Sequence, residues 1–210
     1  MTFVVGHRCG NDLATLRSAA ASGVAVVEAD VHLYRGRLEV RHLKSLGPLL
    51  WDTWYLASPS TPRLLLRDLL AACPPGVELM LDLKGPRRAI ARLVLDAVRP
   101  YRGRLRLAVC GRHPRVLAAF RGDPDVRLVR SLGSRRALRA FLRSGGREDT
   151  VSVRAEFLDA ETTAALRARA GRILTWPVRT PEAALHLRAL GVDGLITERL
   201  DLVDTLRAAA

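Results

Sequence analysis

Eight short runs rich in Val, Leu and Ile recur along this chain, each followed by a stretch with helical spacing, and that alternation limits the fold more than any other feature. The runs are TFVVGHR, VAVVEADV, VELMLDLK, LRLAVCG, DVRLVRSL, DTVSVRAEF, GRILTWPV and DGLITERL. Strands separated by helices pair in parallel through crossovers, and nearly continuous apolar strands are buried on both faces. A closed (β/α)8 TIM barrel is the simplest arrangement that meets both conditions. A length of 210 residues lies near the lower limit for this fold, so the loops must be short. An open doubly wound sheet is the runner-up, but it wants a glycine-rich phosphate loop after the first strand. HRCG follows TFVV, and no GxGxxG does.

The helical stretches include NDLATLRSAAASG, TPRLLLRDLLAACPPG, GPRRAIARLVLDAVR, HPRVLAAFRG, DAETTAALRARAG and TPEAALHLRALG. Several open on Pro or a capping Asp or Thr and close at Gly, as helix ends prefer. One segment departs from the alternation. After the second run, RGRLEVRH reads as a short extra strand and LKSLGPLLWDTWYLASPS as a loop. In a barrel this insertion sits over the C-terminal mouth, where loops build the site. Trp51, Trp54 and Tyr55 are expected to cover a local apolar patch there. No Ser-, Gly- or Pro-rich linker divides the chain, so a single domain over residues 1–210 is expected.

Composition narrows the function classes. A formal charge of +13 invites a nucleic-acid or anionic-surface reading. Many arginines, however, fall in helical stretches such as SRRALRAFLRSGGR and LRARAGR, where a solvated face accounts for them. No helix-turn-helix, zinc-finger or RNP-like pattern is present, so no specific nucleic-acid partner is expected. Cys9, Cys73 and Cys110 are widely spaced with no CxxC, which argues against a disulfide framework and a structural zinc site and fits a reducing compartment. MTFVVGHR enters directly into a strand-like run, and no segment approaches the ~20 apolar residues of a membrane helix. The cytoplasm is the expected location.

In a barrel the functional residues crowd the C-terminal ends of the strands. The runs close on His7 and Arg8, on Glu28 and Asp30, on Asp82 and Lys84, on Arg154, on Trp176, and on Thr197 and Glu198, while His42 closes the extra strand. Residues two apart on a strand point the same way, so Glu28 with Asp30 and Asp82 with Lys84 face one interior. Three converging carboxylates repel one another unless a cation neutralises them. All-oxygen ligation selects a hard divalent ion, Mg²⁺ or Ca²⁺. Lys84 and Arg8 beside that ion suit a phosphate, and His7 and His42 suit acid and base on either side of a phosphorus centre. Against 32 arginines there are only two lysines, Lys44 and Lys84, and the second is placed where a compact ammonium differs from a guanidinium.

At these residues the sequence resembles the glycerophosphodiester phosphodiesterase family, within the phosphatidylinositol-specific phospholipase C-like phosphodiesterases. The resemblance runs from GHR at 6–8 through VEADVHL at 27–33, VRH at 40–42 and LDLKG at 81–85 to GVDGLITERLD at 191–201. It implies a metal-dependent hydrolysis of a small-molecule glycerophosphodiester to an alcohol and sn-glycerol 3-phosphate. It implies Glu28, Asp30 and Asp82 as metal ligands, His7 and His42 as general acid and base, Arg8 and Lys84 as phosphate-binding, and Trp176 lining the pocket. Which histidine is acid, whether Mg²⁺ or Ca²⁺ is bound, the head group, and whether water or a substrate hydroxyl attacks all stay open, as does the oligomeric state.

Three positions depart from the family pattern. Gly10 stands where a PENT-like motif has its glutamate, leaving Asn11; Leu43 follows His42 in place of aspartate; and Asp82 replaces a glutamate. The last change shortens the reach by about 1.5 Å, so the backbone must approach or a water must bridge. Two further readings are a diverged barrel that binds phosphorylated ligands without turnover, and an arginine-driven binder of nucleic acid or anionic membrane.

Overall fold

The computed structural model describes residues 2–46, 49–52, 55–57 and 63–208. Its eight barrel strands, in order, are Phe3–Gly6, Val26–Tyr34, Glu78–Lys84, Arg106–Gly111, Val126–Leu132, Glu148–Arg154, Ala170–Trp176 and Gly194–Thr197. Each pairs in parallel with the next, and the first pairs with both the second and the eighth, which closes the barrel. A helix follows each strand: Leu13–Ala21, Leu66–Ala72, Ala89–Val98, Pro114–Leu117, Arg135–Arg143, Ala160–Arg167, Pro181–Ala189 and Leu202–Ala208. The (β/α)8 expectation holds.

The strands alternate between two cores. Inward side chains, among them Val5, Val26, Met80, Ala108, Val129, Leu174 and Ile196, fill the barrel. Outward ones such as Val27, Leu79, Leu81, Val109, Val151 and Ile173 pack under the helices. Burial on both faces is why the strands read as near-continuous apolar runs. At the N-terminal end of the interior, Arg127 Nε donates to Glu78 Oε1 at 2.9 Å, closing the floor with an ion pair. The helices start where caps place them: Asp12, Ser134, Asp159 and Thr180 each accept from a backbone N–H in the first turn. On the helix Arg135–Arg143, Leu138 and Phe141 are buried while Arg135, Arg136, Arg139 and Arg143 are exposed, the solvated face expected of these arginines. Among the described residues no helix is long and apolar enough to cross a membrane.

The insertion after the second strand differs from expectation. The extra strand is present as Arg37–Val40, antiparallel to the second strand. It turns through Arg35 at φ 46° and Gly36 at φ 79°, the pair of positive φ values of a two-residue hairpin turn whose twist matches the strands. The stretch read as a loop instead carries a three-stranded antiparallel sheet, Lys44–Leu46, Leu49–Asp52 and Tyr55–Ala57. Strands of three or four residues hold too little periodicity to be read in a sequence. Their pairing is fixed by contact: Leu50 and Ala57 are register partners and both are buried. Trp51 is half-buried there, while Trp54 and the side chain of Tyr55 lie outside the described residues.

Candidate active site

Strand register brings the carboxylates together. The second and third strands pair in parallel with Asp30 opposite Asp82 and His32 opposite Lys84. Partners across a parallel ladder present side chains on the same face, so Asp30 and Asp82 share the C-terminal mouth with Glu28, two residues earlier. One oxygen from each of Glu28, Asp30 and Asp82 lies within 4.8 Å of the others.

The first strand and the turn after it lock this cluster from one side. Arg8 adopts the left-handed conformation at φ 57°. Its backbone N–H donates to Glu28 Oε2 at 2.7 Å. In the 3₁₀ turn Cys9–Asn11, Asn11 makes a reciprocal pair with Asp30: its Nδ2 donates to Oδ2 at 2.9 Å, and its Oδ1 accepts from the Asp30 backbone N–H at 2.8 Å. Gly10 lies against the strand that carries the acids. A Cβ there would stand 2.7 Å from Ala29 Cβ and 3.1 Å from the Glu28 carbonyl oxygen. No side chain fits at position 10 on this backbone, so a glutamate there would require the turn to move.

The remaining charges arrange themselves around Asp30. Lys84 Nζ lies 2.5 Å from Asp30 Oδ1 and also bonds Asp82 Oδ2. His42 Nδ1 lies 3.3 Å from Asp30 Oδ2. Burial opposes the Asp30 charge, yet the hydrogen bonds from His42, Lys84 and Asn11 hold its carboxyl well below the usual range. Burial also opposes the Lys84 charge, and Asp82, Asp30 and Glu28 outweigh it and push that group up. Just past the first strand, which pairs with the second, His7 Nδ1 is 3.3 Å from Glu198 Oε1. Burial, then the Arg8 charge, lower His7 to about 4, so its ring is neutral at neutral pH.

These residues fit a divalent cation. Glu28 is buried, and burial followed by the charges of Asp30 and Asp82 raises its pKa well above the usual carboxylate range. Lys84 neutralises one carboxylate of three. A hard ion with oxygen ligands at about 2.0–2.6 Å spans a set of this size and supplies the missing charge. Asp82, despite its shorter side chain, remains within the set. Arg8 Nε is buried without a hydrogen-bond partner among the described residues, 3.9 Å from Asp30 Oδ2. It is an orphan donor at the edge of the cluster.

His7, Arg8, Glu28, Asp30, His42, Asp82, Lys84 and Trp176, the eight residues singled out from the sequence, line one cavity of about 140 Å³. His42 sits two residues past the extra strand rather than on it. The sequence reading gave no role to Asn11 or Glu198, although it named both, and it passed over Arg112, Ser131 and Ser152, which complete the wall. The two serines sit at inward-facing positions near the ends of the fifth and sixth strands, a parity that could have exposed them. A larger cavity of about 680 Å³ lies at the other end of the barrel, with Arg188 and Asp193 as its only charged lining among the described residues. Asp193 is already bonded to Arg167 at 2.7 Å, and no acidic cluster lies there among the described residues.

No family model matches the sequence, and no curated protein does. Solved structures match over nearly the whole chain. A glycerophosphodiester phosphodiesterase from Thermotoga maritima is 20% identical with a TM-score of 0.77, covering 99% of each chain. A phosphodiesterase from Oleispira antarctica, in complex with the product sn-glycerol-3-phosphate, is 17% identical with a TM-score of 0.75, covering 99% of this chain and 97% of that one. A glycerophosphodiester phosphodiesterase from Parabacteroides distasonis is 19% identical with a TM-score of 0.74, covering 99% of this chain and 97% of that one. At these identities the likeness is one of fold, and this chain has the barrel fold of those phosphodiesterases from end to end.

Proposed function

We propose that this protein is a metal-dependent phosphodiesterase that hydrolyses glycerophosphodiesters to an alcohol and sn-glycerol 3-phosphate. The observation that carries the reading is the convergence, at one cavity on the C-terminal rim, of three carboxylates, a buried orphan Arg8 Nε and two histidines. The likeness to phosphodiesterases, one of them holding sn-glycerol-3-phosphate, supports it. Glu28, Asp30 and Asp82 would hold the ion, Mg²⁺ or Ca²⁺. When bound, it supplies Lewis-acid polarisation and charge neutralisation at the phosphoryl group.

The protein's own groups divide the remaining work. Arg8 and Lys84 bind and orient the phosphate oxygens. Glu198 accepts from His7 Nδ1, which leaves Nε2 as the lone-pair nitrogen; neutral at working pH, it takes the proton of the attacking hydroxyl. Asp30 holds the His42 ring from Nδ1, so its other nitrogen delivers a proton to the departing alkoxide. Trp176, with the Arg154 guanidinium 5.2 Å from its ring centroid, forms an apolar wall for the glycerol.

One observation favours a second reading. The Lys84 ammonium already bridges Asp30 and Asp82, as it would in a barrel that binds phosphorylated ligands without a metal. The discriminating experiment measures hydrolysis of glycerophosphocholine and a bis-aryl phosphate with Mg²⁺, Ca²⁺ or EDTA, for the wild type and Glu28→Ala. Turnover that needs the ion and vanishes in the variant is the expected result. No turnover under any condition, with retained binding of glycerol 3-phosphate, would favour the binder.

A further inference from the structure

We propose that the alcohol leaving group is held in a second, cationic cavity beside the carboxylate cluster, and that the preferred leaving group carries a phosphate of its own. The proposal rests on the phosphodiesterase reading above and names its substrate class.

The second cavity has a volume of about 340 Å³. It shares His42, Asp82, Lys84 and Arg112 with the cavity at the carboxylates. A diester whose phosphorus sits at the acidic cluster therefore reaches it directly. Its wall adds Lys44, so both lysines of the chain line the same space. In a protein with 34 Lys and Arg, that placement marks a site built for compact ammonium groups.

Two of the three Lys and Arg charges in that wall, Lys44 and Arg112, have no acidic partner among the described residues. Among the described residues Asp82 is the wall's only carboxylate, and Lys84 occupies it. Lys44 and Arg112 form no ion pair among the described residues, whereas Arg102, Arg127, Arg167 and Arg199 elsewhere each hold an acid. Each of the two is nonetheless positioned. The Lys44 ammonium lies 4.8 Å from the centre of the Trp51 ring. The Arg112 guanidinium occupies space left by Gly133, where a Cβ would come within 3.3 Å of its Nε. Two placed cations without counter-charge, one of them a planar fork, suit a phosphate. Among the described residues, the wall offers a quaternary ammonium neither an unpaired carboxylate nor a Trp, Tyr or Phe face.

The reaction on such a substrate balances simply. A water oxygen bonds to the phosphorus at the carboxylate cluster, the bond from that phosphorus to the leaving oxygen breaks, and the leaving oxygen takes up a proton. Bis(glycerophospho)glycerol would yield sn-glycerol 3-phosphate and glycerophosphoglycerol.

The test compares kcat/KM for bis(glycerophospho)glycerol, glycerophosphoglycerol and glycerophosphocholine, whose leaving groups are anionic, neutral and cationic. Wild type, Lys44→Gln and Arg112→Gln are assayed with saturating divalent ion. The expected result is a preference for the anionic leaving group of roughly tenfold or more over the cationic one. Lys44→Gln lowers kcat/KM for the anionic substrate about tenfold through KM, with the choline ester within about twofold of wild type, and Arg112→Gln lowers the anionic substrate's value at least as much. Equal or better turnover of the choline ester, or a uniform loss across all three substrates in Lys44→Gln, would overturn the cationic subsite while leaving the phosphodiesterase reading intact. Absence of turnover with every substrate removes the reading itself, and the subsite with it.

Discussion

Arg8, Gly10 and Asn11 show how much of the site depends on three backbone positions around one turn. The left-handed Arg8 aims its N–H at Glu28, Gly10 allows the turn to touch Ala29, and Asn11 clasps Asp30 from both ends of its amide. Adding a methyl at position 10 forces rigid groups apart, and overpacking of this kind costs about 1–3 kcal/mol. Gly10→Ala is therefore expected to lower the urea midpoint and to weaken divalent-ion binding measured by calorimetry; an unchanged midpoint would mean the turn is softer than described. Asn11→Ala removes two hydrogen bonds that orient a proposed ligand, Asp30. Losses from such supporting partners run roughly 10–100-fold. The expected outcome is that loss in kcat/KM, with metal affinity falling in parallel and the folded spectrum unchanged.

Among the elements, the first helix carries the clearest pH signature. Asp12 caps Leu13–Ala21, accepting from the N–H groups of Ala14 and Thr15 at 2.9 Å each. The Thr15 N–H, the largest influence on it, lowers its pKa below the ordinary 3.8. A depressed folded pKa gives stability that is present above the unfolded value and lost as pH falls through the folded one. Asp12→Ala should thus cost about 1 kcal/mol at pH 7, with a smaller difference at about pH 3, below the ordinary value of 3.8. Urea melts at the two pH values check this; an equal difference at both would point to packing rather than capping. The insertion shows the opposite case. Its three short strands carry no legible period, so only their pairing, Ser45 with Leu50 and Leu50 with Ala57, reveals a sheet.

At the level of the whole molecule, the barrel gathers acids that the unfolded chain keeps apart. A divalent ion should bind the folded state and not the unfolded one, and so raise stability by mass action, about 2.7 kcal/mol at a concentration of one hundred Kd. For a chain of this size that corresponds to roughly 5–10 °C in Tm. Calorimetric scans with Ca²⁺, Mg²⁺ and EDTA should show the shift in the wild type and lose it in Glu28→Ala. A shift that survives the substitution would place the ion elsewhere.

What the sequence determined by itself was whatever depends on neighbours along the chain. Periodicity two against periodicity 3.6 separates eight strands from their helices, and i, i+2 spacing places Glu28 with Asp30 and Asp82 with Lys84 on common faces. Capping residues such as Asp12, Ser134 and Thr180 mark helix starts. Tertiary structure alone decided what depends on register and on approach across space. The pairing of Asp30 with Asp82, the clasp of Asn11, the Glu198 carboxylate on His7 and the meeting of Lys44 with Lys84 join residues distant in the chain. The reason is physical: local spacing fixes the direction in which a side chain leaves its strand, but only closure of the barrel fixes which strand ends stand side by side.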